Sequence, residues 1–147
     1  ADQSLYAKKQ KGPEPRMDVA SFLAEQKGIH AVIDLSDGLS SDLNHVLQAS
    51  QKGAVIFESQ LPVTQDFQCQ ATSLGFNETD LILNGGEDYE LLVTLDEARA
   101  SAIIDQAKDK GLNLIPIGKI TSQENRIKLN KRDGSIVDLK PKGFVHF

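Results

Sequence analysis

The last third of the chain carries the pattern that restricts the fold most: two alternating segments joined by an Asp-Gly turn. The segments "RIKLN" (126–130) and "SIVDLK" (135–140) both alternate apolar and polar residues, and Asp133–Gly134 lies between them. An Asp-Gly pair between alternating runs favours a β-hairpin, because such turns require a positive φ that glycine adopts easily. The sequence therefore predicts an antiparallel strand pair here.

Upstream of this hairpin, strand-length apolar runs are mixed with helical patterns. Strands are predicted over 30–35, 53–59, 80–84, 89–95 and 112–120, and helices over 17–28, 41–50, 64–75 and 96–111. Thr64 is a predicted helix N-cap, and Thr94 with Glu97 fits a capping box. Pro116 is expected at a sheet edge or a bulge, because it cannot donate a ladder hydrogen bond. The fold class predicted is α+β, a mixed and largely antiparallel sheet packed with helices.

Composition narrows the class of protein. A length of 147 residues suits one domain, and the net charge of -5 argues against a nucleic-acid groove. A single cysteine, Cys69, excludes an internal disulfide framework and fits a reducing compartment. The sequence contains no signal-peptide pattern and no apolar stretch of membrane-spanning length. We therefore expect a soluble cytoplasmic domain with neither a nucleic-acid nor a membrane partner.

The first sixteen residues differ in character from the rest. They are polar and end in "GPEPR", whose prolines oppose helix formation. The chain begins without Met, and its only methionine is Met17. We interpret residues 1–16 as a linker from a preceding domain and residues 17–147 as the α+β domain.

The stretch "IDLSDGLSSDL" (33–43) places three aspartates where a predicted strand ends and a predicted helix begins. In one interpretation Ser36 or Asp37 caps the helix, which is worth about 1 kcal/mol, and Asp42 is a solvated first-turn acid. In the other, Asp34 and Asp37 supply hard oxygen ligands to Mg²⁺, which shares its coordination shell with phosphates. His45 is expected to be a surface residue, so zinc is disfavoured. The residues alone leave both interpretations open.

A second unusual stretch is "NGGEDYELL" (84–92). Gly85 and Gly86 permit positive φ and close backbone approach to a ligand, and Glu87 and Asp88 follow directly. The pattern lacks the Gly-Lys-Ser/Thr of a Walker loop. It fits either a ligand-binding turn or an ordinary turn with solvated acids.

Together, "IDLSDGLSSDL" and "LNGGEDYELLVT" resemble the C-terminal domain of thiamine-monophosphate kinases, in the aminoimidazole ribonucleotide synthetase-like superfamily. The resemblance runs from "PEPRMDVASFLA" to "GFVHF". It implies enzymes that use ATP and Mg²⁺ to convert thiamine monophosphate into thiamine diphosphate. ATP and the metals would bind between an N-terminal and a C-terminal domain, in a homodimer formed through the N-terminal domain.

The resemblance also assigns residues. Asp34 and Asp37 match metal-binding aspartates, and Ser36 matches an ATP-contacting position. Glu87 matches a substrate contact, and Phe144 matches an aromatic residue near the thiazole–pyrimidine end of the substrate. No catalytic side chain is assigned, and Asp42 receives no role. An alternative for Phe144 is a core or capping residue that ties down the terminus.

Two other interpretations remain open. The chain could be the same domain of another superfamily member, such as an aminoimidazole ribonucleotide or selenophosphate synthetase, or a binding module without catalysis. The N-terminal domain of these kinases carries a further Asp-rich metal motif, and nothing in the 147 residues matches it. We therefore expect the chain to be inactive by itself.

Overall fold

A computed structural model of the chain describes residues 15–86, 89–123 and 126–142. The α-helices in these ranges are α1 Met17–Ala24, α2 Leu39–Ser50, α3 Gln65–Ser73, α4 Glu78–Asn84 and α5 Glu97–Asp109, with a 3₁₀ turn at Glu58–Gln60. The strands are β1 Ile29–Asp34, β2 Gly53–Phe57, β3 Leu91–Leu95, β4 Gly118–Thr121, β5 Ile127–Asn130 and β6 Ile136–Leu139. Among the helices described, none combines the length and apolar character that crossing a bilayer requires.

The strands form two sheets. β1 and β3 pair antiparallel, while the larger sheet has the order β4-β2-β5-β6. In the larger sheet β2 and β5 run parallel and the other two pairs are antiparallel. The predicted mixed, largely antiparallel α+β fold is confirmed, and so is the hairpin, since β5 pairs with β6 around Gly134 at φ 84°.

Each sheet packs against helices through its own apolar cluster. The helical periodicity of α2 puts Leu39, Leu43 and Leu47 on one face, which packs against the large sheet. The second cluster joins α1 and α5 beside the small sheet; its buried members are Val19, Phe22, Leu23, Ile103 and Ala107. Each fully buried leucine or phenylalanine contributes roughly 1.5–3 kcal/mol, so α2 is held firmly on the sheet that supports it.

The predicted strand at 80–84 is wrong, because this segment is helix α4. Asn77 caps it, since its side-chain oxygen accepts a hydrogen bond from the Asp80 N–H at 2.9 Å. Acids in the first turn add to that cap by complementing the helix dipole. Leu83 is 2% exposed in the large core, so an apolar run that could have formed a strand is buried as a helix.

The predicted capping box at α5 is also wrong. Thr94 lies within β3, where it pairs with Ala31, and the N-cap of α5 is Asp96. The Asp96 carboxylate lies 2.8 Å from the Nε2 atom of His30 on β1. Strand pairing therefore extends through the residue that the sequence pattern placed at the start of a helix. By contrast, Thr64 caps α3 as predicted, accepting from the Phe67 N–H at 3.3 Å.

The strand predicted over 112–120 is shorter than expected, since β4 begins at Gly118. Pro116 therefore precedes the strand, and β4 is an edge strand of the large sheet. A Cβ at Gly118 would lie 2.3 Å from the Val55 carbonyl oxygen, so glycine allows the two strands to approach. The proline lies near the end of the irregular segment that leads into this edge.

Glu58, just after β2, is hydrogen-bonded both to α4 and to the β5–β6 loop. Its carboxylate accepts hydrogen bonds from the Thr79 hydroxyl on α4 and, at 2.9 Å, from the Arg132 N–H in the β5–β6 loop. The Thr79 hydrogen bond, followed by the Arg132 N–H, holds the pKa of Glu58 below its ordinary value of 4.5. The charged form is therefore the form that stabilises this junction.

We expect Glu58→Gln to lower the free energy of unfolding at pH 7 by about 1 kcal/mol, because hydrogen bonds to a carboxylate weaken when it becomes an amide. The folded pKa is depressed, so the contribution is present above pH 4.5 and is lost as pH falls through the folded pKa. Urea unfolding of both proteins at several pH values measures the difference. Glu25→Gln, at an exposed glutamate, is the control; a difference that stays constant with pH would contradict the assignment.

Candidate functional site

The Asp-rich turn has the predicted arrangement of strand, turn and helix. β1 ends at Asp34, α2 begins at Leu39, and Ser36 and Asp37 lie in the connection. Asp34 is exposed, whereas Ser36 and Asp37 are half-buried. Gly38 is the N-cap of α2, and glycine has no side chain that could cap the helix. The interpretation of Ser36 or Asp37 as the N-cap is therefore wrong.

Asp42 points inward, so its interpretation as a solvated acid is also wrong. The residue is 2% exposed. Its Oδ2 atom accepts hydrogen bonds from the Ser36 N–H at 2.9 Å and the Asp37 N–H at 3.1 Å. The connection between β1 and α2 thus has two backbone N–H donors, and their acceptor is a side chain in the first turn of α2.

His45 lies one helical turn beyond Asp42. Ligand atoms of Asp37, Asp42 and His45 all lie within 4.8 Å of one another. The side chain of His45 is exposed, as expected from its place on the helix. An imidazole nitrogen therefore lies beside the acidic turn, although the sequence indicated only a surface residue.

The two unusual stretches of sequence meet in space. A Cβ at Gly38 would lie 2.8 Å from the carbonyl oxygen of Gly85 and 3.0 Å from the carbonyl carbon of Asn84. The hydroxyl of Ser40 donates to the Asn84 Oδ1 atom at 2.7 Å, and Ser40 is 0% exposed. The N-terminus of α2 thus packs directly on the C-terminal end of α4, where the Gly-Gly segment begins.

The backbone beyond the Gly-Gly segment also pairs with the Asp-rich turn. The Leu35 N–H donates to the Glu90 carbonyl at 2.8 Å, and the Tyr89 N–H donates to the Leu35 carbonyl at 2.9 Å. Tyr89 has φ 51°, a conformation that costs a bulky residue about 1–3 kcal/mol. Such strain often accompanies ligand-binding segments, and the sequence contains no signal for it at this tyrosine.

Gly85 shows one of the two properties that the sequence offers for the Gly-Gly segment, a close approach of the backbone. Glycine permits positive φ, but Gly85 has φ -69°. A Cβ there would lie 2.5 Å from the carbonyl oxygen of Leu81, so glycine is required for a close approach at the end of α4. Among the described residues of this segment, Tyr89 has positive φ.

Ser40 links a third segment to the same place. Its hydroxyl oxygen accepts a hydrogen bond from the Lys142 N–H at 3.3 Å. Lys142 is the last described residue, so the described chain ends beside the N-terminus of α2. Ser40 and Asn84 were missed by sequence reasoning, because a serine in a first helical turn and an asparagine before Gly-Gly are both common.

The structure describes three of the five site residues that the resemblance assigns. Asp34 is the last residue of β1, and Ser36 and Asp37 lie in the connection that follows it. Glu87 and Phe144 lie outside the described residues. Described residues close to them in sequence do contact this region. Tyr89, two residues after Glu87, hydrogen-bonds to Leu35, and Lys142, two residues before Phe144, hydrogen-bonds to Ser40.

Comparison with known sequences identifies a domain family and named relatives. The sequence model for AIR synthase related protein, C-terminal domain, matches residues 6–130. Thiamine-monophosphate kinase from Buchnera aphidicola subsp. Acyrthosiphon pisum is 38% identical over 149 aligned positions, covering 99% of this chain and 43% of that protein. The Escherichia coli K12 protein of the same name is 34% identical with the same coverage.

A solved structure agrees with the sequence matches. AaThiL complexed with AMPPCP and TMP superimposes with a TM-score of 0.74 at 30% identity, covering 96% of this chain and 40% of that one. The chain spans about 43% of the length of the curated relatives it matches. The chain belongs to the family of AIR synthase related proteins, as their C-terminal domain.

Proposed function

We propose that this chain is the C-terminal part, residues 17–147 with a linker at 1–16, of a thiamine-monophosphate kinase. The complete kinase, an N-terminal domain followed by this chain, would transfer a phosphoryl group from ATP to thiamine monophosphate. Relatives of that name match almost the whole chain at 38% and 34% identity. The structural observation that carries the proposal is the packing of Gly38, beside Asp34 and Asp37, against Gly85.

The donor atoms of the Asp-rich turn fit Mg²⁺. Asp34 and Asp37 offer carboxylate oxygens and Ser36 a hydroxyl, and Mg²⁺ prefers such hard ligands together with substrate phosphates. We assign Asp34 and Asp37 to the metal and Ser36 to ATP. A bound metal ion would neutralise charge on the phosphoryl group, the main task in this reaction. The chain's own contribution is to orient the carboxylates and present the N-terminus of α2, which favours phosphate.

The substrate end of the site is assigned to Glu87 and Phe144. Support comes from the neighbouring described residues, because Gly85 and Lys142 approach the N-terminus of α2 from two sides. An aromatic ring there could stack on the cationic thiazolium ring of the substrate. The likeness to these kinases further supports a homodimer formed through the N-terminal domain and a cytoplasmic location.

We expect the 147-residue chain alone to show no phosphorylation of thiamine monophosphate above background, because the N-terminal half of the metal and ATP site is absent from it. The complete kinase should turn over at about 1–100 per second, as kinases do. Chromatography of thiamine diphosphate formed from thiamine monophosphate, in the presence of ATP and Mg²⁺, measures the rates of the chain alone and of the complete kinase.

Two results would count against the proposal, in different ways. Normal turnover by the chain alone would contradict the claim that it carries half a site. Absence of turnover by the complete protein, with correct folding verified by circular dichroism, would contradict the kinase function and favour another member of the superfamily or a binding module.

A further inference from the structure

We propose that Asp42 is a positioning residue, which holds the turn containing Ser36 and Asp37 in the conformation that binds metal and nucleotide. This inference rests on the proposed function and assigns a role to a residue that the family resemblance left without one. A single carboxylate oxygen of Asp42 accepts both backbone N–H groups of the turn, at 2.9 and 3.1 Å. Asp42 thereby acts on the metal site through the backbone.

The burial of Asp42 explains why this contact is strong. A carboxylate that is 2% exposed is costly unless its charge is compensated by hydrogen bonds. The two N–H groups supply that compensation, and the free N–H groups in the first turn of α2 favour a negative charge there. Removing both side-chain oxygens would leave the two donors of the turn without their acceptor.

The position of Asp42 on α2 connects the turn to the core. Leu39 and Leu43 on the same helix are buried against the large sheet. Asp42 is thus on the part of α2 that is fixed by packing, and its carboxylate reaches back over the turn. The location of the Asp37 carboxylate is therefore set by the helix as well as by β1.

A competing role for Asp42 is direct metal ligation together with Asp37 and His45, whose ligand atoms lie within 4.8 Å of one another. The hydrogen bonds and the burial together favour positioning, because the Oδ2 atom of Asp42 accepts from two donors and the residue is only 2% exposed. The two roles make different demands on the side chain. Positioning needs an acceptor of the right size, whereas ligation of Mg²⁺ needs the negative charge.

Asp42→Asn and Asp42→Ala separate these roles. Asparagine keeps an oxygen that can accept both N–H groups, while alanine removes it. In the complete kinase we expect the Mg²⁺ concentration for half-maximal rate to rise about 10–100-fold for Asp42→Ala and only a few-fold for Asp42→Asn. We also expect the rate of the alanine variant to recover in part at high Mg²⁺. Asp66→Asn, an exposed acid in the first turn of α3, is the control and should change neither value.

A second readout does not depend on activity. Amide hydrogen exchange at Ser36 and Asp37, measured by NMR on the metal-free 147-residue chain, should be at least 10-fold faster in Asp42→Ala than in the wild type, with Asp42→Asn between them. Unchanged exchange in the alanine variant would overturn the proposal. Equal rises in the Mg²⁺ concentration for half-maximal rate in the two variants would also overturn it, because they would indicate ligation. A wild-type protein that fails to phosphorylate thiamine monophosphate would count against the proposed function, while the exchange rates would still decide the role of Asp42.

Discussion

Gly38→Ala is expected to lower the free energy of unfolding by roughly 2–5 kcal/mol, a large part of the stability of an ordinary domain. Two effects add. Gly38 has φ 98°, which strains any residue with a Cβ. The added Cβ would also lie 2.8 Å from the carbonyl oxygen of Gly85, and backbone cannot move aside as a flexible side chain can. Urea unfolding of the chain at pH 7 measures the loss.

Gly111→Ala is the matched control for this prediction. Gly111 has a similar conformation, φ 75°, but a Cβ there would meet no atom of the described residues within 4 Å. It should cost roughly 1 kcal/mol from backbone strain alone. Equal losses in the two variants would contradict the close packing of the Asp-rich turn on the Gly-Gly segment.

The features that sequence reasoning predicted correctly depend on local chemistry. The β5–β6 hairpin follows from Asp133–Gly134, and the helix α3 follows from the cap at Thr64. The change from strand to helix after Asp34 was likewise visible in the hydrophobic pattern. In each case residues close in sequence determine the backbone, so the pattern carries the information.

The error at α4 shows where local patterns stop being sufficient. Its apolar run, Leu81 to Leu83, is too short to distinguish a helix from a strand by periodicity. The Asn77 cap and the burial of Leu83 against the large core decide for the helix. The burial of Leu83 depends on the assembled fold, so the local sequence does not reveal it.

The parts of the site that could not be predicted are contacts between distant segments. The hydrogen bond from Ser40 to Asn84 spans 44 residues, and the one from Lys142 to Ser40 spans 102. The inward orientation of Asp42 depends on where the turn places its N–H groups. The substrate roles of Glu87 and Phe144 stay predictions.

The largest functional effect is expected from replacing both aspartates of the proposed metal site. Asp34→Asn with Asp37→Asn should lower kcat/KM of the complete kinase on the order of 10³-fold or more, because removing one group that stabilises developing charge already costs about 10²–10³-fold. The amide is similar in size to the carboxylate but neutral, so it binds Mg²⁺ far more weakly. Asp34 is exposed and Asp37 is half-buried, so thermal unfolding of the variant is measured alongside to verify that it is folded in the assay.

A double variant with the same change of charge elsewhere provides the control. Asp105→Asn with Asp109→Asn removes two exposed carboxylates from α5, away from the Asp-rich turn. This variant should retain the kcat/KM of the wild type. A comparable loss of activity would mean that net charge, and not the turn, determines the rate.

The most direct measurement is the rate of phosphoryl transfer from ATP to thiamine monophosphate as a function of Mg²⁺ concentration. It compares the wild-type complete kinase with the Asp34→Asn/Asp37→Asn variant. The account predicts a rate that saturates with Mg²⁺ in the wild type, and a variant with a rate on the order of 10³-fold lower that requires far more Mg²⁺. Identical rates and identical Mg²⁺ dependence in the two proteins would contradict the account.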